Sequence, residues 1–150
     1  MRNIELHTLR ILIVDDSQTA RKYLGRCLKD LGAAEVVVAE DGAEAIDMLR
    51  SFAADIVISD FNMAIEDGIK FTQMVRTAKD SPAPDVPIVM LTSDATRETL
   101  DSAMAAGVDG FLVKPVSADK LRHHILHTMN VVCHGQGRAA AAVPDEAVSG

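Results

Sequence analysis

Five short runs of apolar residues alternate along the chain with segments of helical periodicity, and this alternation restricts the fold more than any other feature. The runs are rich in Val and Ile and occupy residues 11–14, 36–39, 56–59, 88–91 and 111–113. They contain little polar alternation, which is typical of parallel strands that are covered on both faces. The pattern therefore predicts an α/β fold with a five-stranded parallel sheet and helices on both faces.

The segments between the runs carry apolar residues at three- and four-residue intervals, as amphipathic helices do. Ser17 and Ser117 are placed to cap the first and last of these helices. Gly32 and Gly107 follow the first and fourth helices and predict their ends. Residues 41–52 form the second predicted helix. The apolar stripes of the other four are Ala20, Leu24, Leu28 and Leu31; Phe71, Met74, Val75 and Ala78; Leu100, Ala103 and Met104; and Leu121, Ile125, Met129 and Val132.

The chain has 150 residues, which is the size of one domain with a proper core. We predict that residues 1–132 form this domain. Residues 133–150 contain a Gly-Gln-Gly sequence, an Ala run and Pro144, without an apolar face to bury. This last segment is therefore predicted to be a flexible tail.

Acidic residues outnumber basic ones, so the formal net charge is -7. This negative charge disfavours bulk electrostatic binding to nucleic acid or to an anionic membrane. No stretch approaches the roughly 20 apolar residues that span a bilayer, and residues 1–10 lack the apolar core of a signal peptide. Cys27 and Cys133 are isolated, which favours a reducing compartment. We expect a cytoplasmic protein whose partners are proteins or small ligands.

Polar side chains follow four of the five predicted strands. Asp15 and Asp16 follow the first strand, Asp60 the third, Thr92 the fourth and Lys114 the fifth. Ligands of open α/β sheets bind beyond the carboxyl ends of the strands, so these side chains are expected to converge at one edge. Any one of them alone is more simply explained as a turn or capping residue. The complete set, in this order, favours a functional site.

The residue types in this set favour phosphoryl transfer. Three neighbouring carboxylates repel one another and need a cation to remain ionised together. Oxygen ligands favour Mg²⁺, which also bridges to phosphate groups, and a carboxylate can attack phosphorus to form an acyl phosphate. We expect Lys114 to pair with the phosphoryl oxygens or the nucleophile, and the Thr92 hydroxyl to donate a hydrogen bond to the phosphoryl group.

These residues and their surroundings strongly resemble the response-regulator receiver family of two-component signalling, over about residues 9–132. The resemblance implies a doubly wound sheet with strand order 2-1-3-4-5. The segments that carry it are Ile-Leu-Ile-Val-Asp-Asp at 11–16, Ile-Val-Ile-Ser-Asp-Phe-Asn-Met at 56–63, Asp-Gly at 67–68, Val-Met-Leu-Thr at 89–92 and Gly-Phe-Leu-Val-Lys-Pro at 110–115.

The resemblance also implies how the site holds its metal. Asp60 would be the phosphoacceptor and, together with Asp16, a direct Mg²⁺ ligand. Asp15 would bind the ion directly or through water, and the backbone carbonyl of Asn62 would complete the protein ligands. The peptide bond between Lys114 and its proline is commonly cis in this family.

A switch is implied in the same way. Thr92 and Phe111 match the family's switch hydroxyl and aromatic, and Lys114 matches its amine. On phosphorylation Thr92 would move towards the phosphoryl group and Phe111 would rotate inward, which would change the face made by the fourth helix, fifth strand and fifth helix. Asn62 and Asp94 would line the approach of the hydrolytic water and tune the lifetime of the acyl phosphate.

Three positions depart from the family pattern without removing a residue that the chemistry requires. Ala64 stands where a proline is common, so the loop after Asp60 is expected to be less rigid. Ser93 follows Thr92 where a small apolar residue is commoner. Phe111 lacks the hydroxyl group that a tyrosine would offer at that position.

Together these features predict a single-domain response regulator, a signalling switch and not an enzyme acting on an external substrate. It would receive phosphate from a histidine kinase or phosphotransfer protein. Its output would be a protein target bound through the face of the fourth helix, fifth strand and fifth helix, as in chemotaxis. A phosphorelay intermediate or a phosphate-sink receiver is the alternative within signalling.

Two enzyme classes share the predicted architecture or the aspartate nucleophile. A flavodoxin-like enzyme usually needs a Gly-rich or Ser/Thr-rich phosphate loop after the first strand. Here Asp15 and Asp16 occupy the start of that loop. A haloacid-dehalogenase-type phosphatase would have a second carboxylate two positions after the nucleophile, where this chain has Asn62. Both alternatives are therefore disfavoured.

Overall fold

The computed structural model describes residues 5–63, 67–93 and 96–133, so Ala64, Asp94 and the predicted tail beyond residue 133 lie outside the described residues. No helix within these ranges is long and apolar enough to span a bilayer. After a single 3-10 turn at Leu6–Thr8, the elements are β1 (Arg10–Val14), α1 (Gln18–Asp30), β2 (Glu35–Ala39), α2 (Gly42–Leu49), β3 (Ile56–Asp60), α3 (Gly68–Thr77), β4 (Ile88–Thr92), α4 (Arg97–Ala106), β5 (Gly110–Val113) and α5 (Ala118–Cys133).

The five strands form one parallel sheet in the order β2-β1-β3-β4-β5. The predicted fold class and the strand order implied by the resemblance are both confirmed. β1 lies between β2 and β3, so the winding of the chain reverses there and a crevice opens at the carboxyl ends of β1 and β3. Val14, the last residue of β1, pairs with Ala39 on one side and with Ser59 on the other.

Apolar side chains fill both faces of the sheet, which explains why the strands are almost uniformly apolar. On one face, Leu28 of α1 and Leu121 of α5 lie in the same cluster as Ile13 and Ile58. On the other face, α2, α3 and α4 form two further clusters with the strands. Every residue of β3 and β4 is buried, whereas β2 lies at an edge and is partly exposed.

The predicted helix caps are present. The Ser17 side chain accepts a hydrogen bond from the backbone N–H of Ala20 (3.2 Å), and the Ser117 side chain accepts one from Lys120 (3.1 Å). Gly107 ends α4 with φ 107°, a left-handed conformation that glycine adopts without steric cost. Local capping chemistry therefore sets these boundaries as the sequence indicates.

Two helices end earlier than predicted. The second predicted helix was assigned to residues 41–52, but α2 ends at Leu49, because the backbone N–H groups of Arg50 and Ser51 bond three residues back in a tighter turn. Ala78 was assigned to the α3 stripe, but it lies past the end of that helix with an extended backbone and an exposed side chain. The Ser81 hydroxyl donates a hydrogen bond to the Val75 carbonyl (2.5 Å), one of the carbonyl groups in the last turn of α3 that have no partner within the helix.

A buried ion pair joins α3 to β4 and β5 at the edge of the sheet opposite the carboxyl ends of the strands. The Arg76 guanidinium of α3 lies 2.9 Å from the fully buried Asp109 carboxylate. Asp109 also accepts the backbone N–H of Ile88 (2.9 Å), and Arg76 donates to the carbonyl groups of Gly107 and Pro84. The pair therefore links α3 to the starts of β4 and β5, whose opposite ends carry Thr92 and Lys114.

Candidate functional site

Three carboxylates converge at the carboxyl edge of the sheet, as the sequence predicts. Asp15 and Asp16 follow β1, and Asp60 is the last residue of β3. Each offers a ligand oxygen, and these oxygens all lie within 4.8 Å of one another. Asp15 and Asp60 are buried, at 2% and 5% exposure, whereas Asp16 faces solvent. The parallel pairing of β1 with β3 is what brings the three side chains together.

Asp15 is held in an unfavourable environment. Its Oδ1 accepts the backbone N–H of Ser17 (2.9 Å), whereas its Oδ2 is buried and has no hydrogen-bond partner among the described residues. Burial raises the pKa of Asp15 above its usual 3.8; the Ser17 N–H acts against this change, and the negative charge of Asp60 adds to it. A cation beside Oδ2 would satisfy the free lone pairs and the charge together.

Lys114 reaches the same cluster from the neighbouring strand. Its Nζ donates a hydrogen bond to Oδ1 of Asp60 at 2.5 Å, and its backbone N–H bonds to the carbonyl of Thr92. The lysine side chain is 39% exposed, so solvent screens part of this attraction. The peptide bond after Lys114 is cis, as the resemblance implied.

Thr92 lies at the carboxyl end of β4, and Phe111 lies near the start of β5, opposite Met90. Thr92 ends β4 one residue after Leu91, which pairs with Asp60, and it is 1% exposed. Phe111 is fully buried in a cluster with Leu100 and other residues of α4 and β4. The Phe111 ring therefore lies inward.

The remaining predicted site residues are less informative. Asn62 lies in the loop after β3 and its side chain is exposed. Asp94 and Ala64 lie outside the described residues. The structure thus brings together Asp15, Asp16, Asp60 and Lys114.

Asp67 and Gly68 belong to the segments that resemble the receiver family, but the sequence analysis predicts no role for them. Asp67 caps α3 by accepting the backbone N–H of Lys70 (2.8 Å), and the Gly68 N–H bonds to the carbonyl of Phe61. A Cβ atom on Gly68 would lie 2.5 Å from the Asp60 carbonyl oxygen and 2.6 Å from the Met90 sulfur. Only glycine lets the start of α3 approach the backbone of Asp60 so closely.

A second positioning residue was also missed. Arg21, one turn into α1, donates from Nη1 to the backbone carbonyl of Asp15 at 2.7 Å. Its side chain is 16% exposed and also faces Glu40 at 4.0 Å. The contact ties α1 to the turn that carries Asp15 and Asp16. No local sequence signal predicts it, because it joins residues six apart through a long side chain.

The donor set at this edge fits a hard divalent cation. Its side-chain donors are carboxylate oxygens, and Mg²⁺ prefers oxygen ligands while keeping several of its own waters. Asp15, Asp16 and Asp60 would hold the ion, and the Oδ2 of Asp15 offers a ligand atom that no described residue bonds. The acidic cluster is therefore compatible with Mg²⁺.

The chain matches a known protein family over most of its length. The model of the response regulator receiver domain matches residues 11–126. The chemotaxis protein CheY of Pseudomonas aeruginosa is 38% identical over 117 residues, which cover 78% of this chain and 93% of that protein. The chemotaxis protein CheY-3 of Vibrio cholerae is 37% identical over 117 residues, covering 78% of this chain and 88% of the relative.

A solved structure agrees with these relatives. The chemotaxis protein CheY4 of Vibrio cholerae superimposes with a TM-score of 0.73 at 35% sequence identity. The match covers 79% of this chain and 96% of that structure. The likeness therefore extends over nearly the full length of the known proteins.

We predict that Asp15→Asn stabilises the metal-free protein at neutral pH. The raised pKa means that folded protein keeps this proton to higher pH than unfolded protein does, so the contribution of Asp15 to the free energy of unfolding falls as pH rises above about 4. In EDTA at pH 7, the variant should be more stable by roughly 1 kcal/mol in urea unfolding. The difference should shrink towards pH 4, where wild-type Asp15 gains its proton.

The matched control is Asp47→Asn, which neutralises a carboxylate that is 83% exposed. It should change the free energy of unfolding by less than about 0.5 kcal/mol at either pH. A loss of stability in Asp15→Asn at pH 7 in EDTA would contradict an unfavourable charge at this position.

We predict that Gly68→Ala costs about 2–3 kcal/mol of folding free energy, because the new methyl group must displace the Asp60 backbone or the Met90 side chain. The control is Gly25→Ala, where a Cβ atom meets nothing within 4 Å. That substitution should leave stability unchanged or increase it. Equal urea midpoints for the two variants would show that the close approach at Gly68 is not needed.

Proposed function

Because the chain belongs to the response regulator receiver domain family, we propose that it is a phosphorylation switch whose phosphoacceptor is Asp60. It is homologous to chemotaxis response regulators. One observation carries the proposal: the Asp60 carboxylate lies between the Asp15 and Asp16 carboxylates and the Lys114 amine at the carboxyl edge of the sheet. Members of this family are signalling switches that act on themselves, not enzymes that turn over an external substrate.

The metal would be held by Asp15, Asp16 and Asp60, together with the backbone carbonyl of Asn62. Bound Mg²⁺ would neutralise negative charge on the phosphoryl group that approaches Asp60. The buried and unpartnered Oδ2 of Asp15 supports a cation at this point.

The reaction follows from the arrangement around Asp60. One carboxylate oxygen pairs with Lys114, and the other attacks the phosphorus of a phosphohistidine. The other ring nitrogen of the phosphohistidine carries a proton, so the P–N bond breaks as the P–O bond forms, its electron pair stays on the ring nitrogen, and neutral imidazole leaves. The product is an acyl phosphate on Asp60, with Lys114 paired to the phosphoryl oxygens.

The signal would pass from Thr92 to Phe111. A phosphoryl group on Asp60 adds negative charge and strong acceptor oxygens, which would draw the Thr92 hydroxyl towards the site. The inward position of Phe111 would then be favoured over a second position with the ring outside the core, so the equilibrium between the two would shift. The resulting change would alter the face formed by α4, β5 and α5. Asn62 and Asp94 would tune the hydrolysis of the acyl phosphate.

The partners follow from the same chemistry. A histidine kinase or phosphotransfer protein would supply the phosphohistidine, and a protein target would bind the face of α4, β5 and α5. Chemotaxis is the favoured pathway, because the relatives at 37–38% identity are chemotaxis proteins. The free thiol of Cys27 supports a reducing, cytoplasmic location. A phosphorelay intermediate or phosphate sink would share the chemistry and differ in where the phosphoryl group goes next.

We predict that acetyl phosphate and Mg²⁺ add one phosphoryl group to the protein, and that Asp60→Asn abolishes the addition. An amide has no free carboxylate oxygen to form the acyl phosphate. Intact-mass spectrometry after short incubation measures the product. The control Asp101→Asn removes an exposed carboxylate of α4 and should react like wild type. Labelling of Asp60→Asn at the wild-type level would assign the phosphoacceptor elsewhere.

We predict that Thr92→Val uncouples the site from the face of α4, β5 and α5. Valine keeps the buried shape but removes the hydroxyl group that would follow the phosphoryl group. In wild-type protein, beryllofluoride with Mg²⁺ should shift backbone amide NMR signals both at the carboxylate edge and on α4 and α5. In the variant, only the signals at the carboxylate edge should shift.

The control for this experiment is Thr77→Val, which removes an exposed hydroxyl group at the end of α3. It should respond as wild type does. Full shifts on α4 and α5 in Thr92→Val would exclude Thr92 as the link.

A further inference from the structure

A groove runs along the outer edge of the sheet, away from the carboxylate cluster. It lies between Lys22, Gly25 and Arg26 of α1 and residues 36–38 of β2, and we call it the α1–β2 groove. Its volume is about 780 Å³. Neither the phosphorylation chemistry nor the face of α4, β5 and α5 uses these residues.

Gly25 has no explanation within the described part of the chain. It lies in the interior of α1, where glycine costs about 1 kcal/mol relative to alanine. Its φ is not positive, and a Cβ atom at this position would meet nothing within 4 Å. The contrast with Gly68, where a Cβ would collide with the Asp60 backbone, is direct. Gly25 therefore leaves space in the groove that no described residue fills.

The floor of the groove is an edge strand that is open for pairing. β2 pairs with β1 on one side, and no described strand pairs with its other side. In a parallel sheet, the N–H and C=O groups of alternate residues point away from the paired neighbour. Val38 is 40% exposed, and Tyr23 and Val38 are the exposed large apolar side chains among the described residues. An uncovered apolar edge of this kind is a template for an added strand.

The wall of the groove is positively charged, although the chain as a whole carries a net charge of -7. Lys22, Arg26 and Lys29 of α1 are exposed, lie along the groove, and form no ion pair within the described ranges. Asp30 is the acidic residue at its end. Arg21 also lines the groove, but its guanidinium is committed to Asp15 and Glu40.

We propose that the α1–β2 groove binds an extended, acidic segment of a protein partner. The segment adds a strand to the outer edge of β2, and the side chains that it directs towards α2 are apolar and contact Val37 and Met48. Its acidic side chains pair with Lys22 and Arg26, and its backbone passes over Gly25, where a larger residue would stand in the way. Strand addition supplies affinity through main-chain hydrogen bonds, and the cations supply selection for acidic sequences.

The charges favour this occupant over a second copy of the chain. Pairing two β2 edges would bring two rows of Lys22, Arg26 and Lys29 together, and like charges at an interface oppose association. The predicted tail contains Asp145 and Glu146, so its occupation of the groove is a separate outcome to be tested.

The experiment measures binding of a fluorescein-labelled heptapeptide of alternating glutamate and valine to the full chain, by fluorescence anisotropy. A lysine–valine heptapeptide is the matched control probe. We expect the acidic peptide to bind and the basic one to fail. Raising the salt concentration should weaken binding about tenfold or more, because the pairs are exposed. Charge reversal by Lys22→Glu with Arg26→Glu should also weaken it at least about tenfold.

Gly25→Leu gives the deciding measurement. Leucine is a better helix former than glycine, so the melting temperature should stay equal or rise while peptide affinity falls at least about tenfold. Acetyl phosphate should still label Asp60 in this variant, because Gly25 does not touch the carboxylate edge. A stable Gly25→Leu protein that binds the peptide as wild type does would overturn the proposal.

Two further outcomes would show that the groove is occupied by something other than a protein partner. If Asp145→Lys with Glu146→Lys raises peptide affinity in the full chain, the tail already occupies the groove. If the chain forms dimers that Gly25→Leu dissociates, and the acidic peptide does not bind, a second copy occupies it. Equal binding of the acidic and basic peptides would also contradict the proposed selection by charge.

Discussion

Repulsion among Asp15, Asp16 and Asp60 is the constraint around which this domain is arranged. The parallel pairing of β1 with β3 forces their carboxyl ends together, and the burial of Asp15 and Asp60 removes much of the water that would screen the charges. Lys114 pairs with the Asp60 carboxylate, whereas burial and the negative charge of Asp60 raise the pKa of Asp15. The apolar core on both faces of the sheet supplies the stability that tolerates this conflict. A cluster of this kind is compatible with a bound divalent cation, which would reduce the repulsion among the carboxylates.

Much of this arrangement is readable from the sequence, because it depends on local patterns. Uninterrupted apolar runs identify buried parallel strands, and the rule that ligands bind at the carboxyl ends of strands then places the acidic residues together. The end of α2 and the position of Ala78 were misjudged, because apolar spacing continues past the point where the backbone leaves the helix. Gly68 and the pair of Arg76 with Asp109 were not assigned, because their contacts join residues that are distant in the chain.

The two proposed partner surfaces lie at opposite edges of the sheet. β2 and β5 lie at opposite ends of the strand order, so a partner seated against Gly25 and Val38 would not overlap one on the face of α4, β5 and α5. The carboxylate cluster lies at the end of the central strands, between these two surfaces. The three proposed contacts, with a phosphoryl donor, a target and a further partner, would therefore use different residues of this domain.

The ion pair of Arg76 with Asp109 restrains one end of the sheet. It anchors the starts of β4 and β5, whereas Thr92 and Lys114 sit at the far ends of those strands. A strand that is anchored at its start is expected to move less there than at its carboxyl end. If Asp60 is phosphorylated, Thr92 and Lys114 would then be able to move without displacing the anchored starts of these strands.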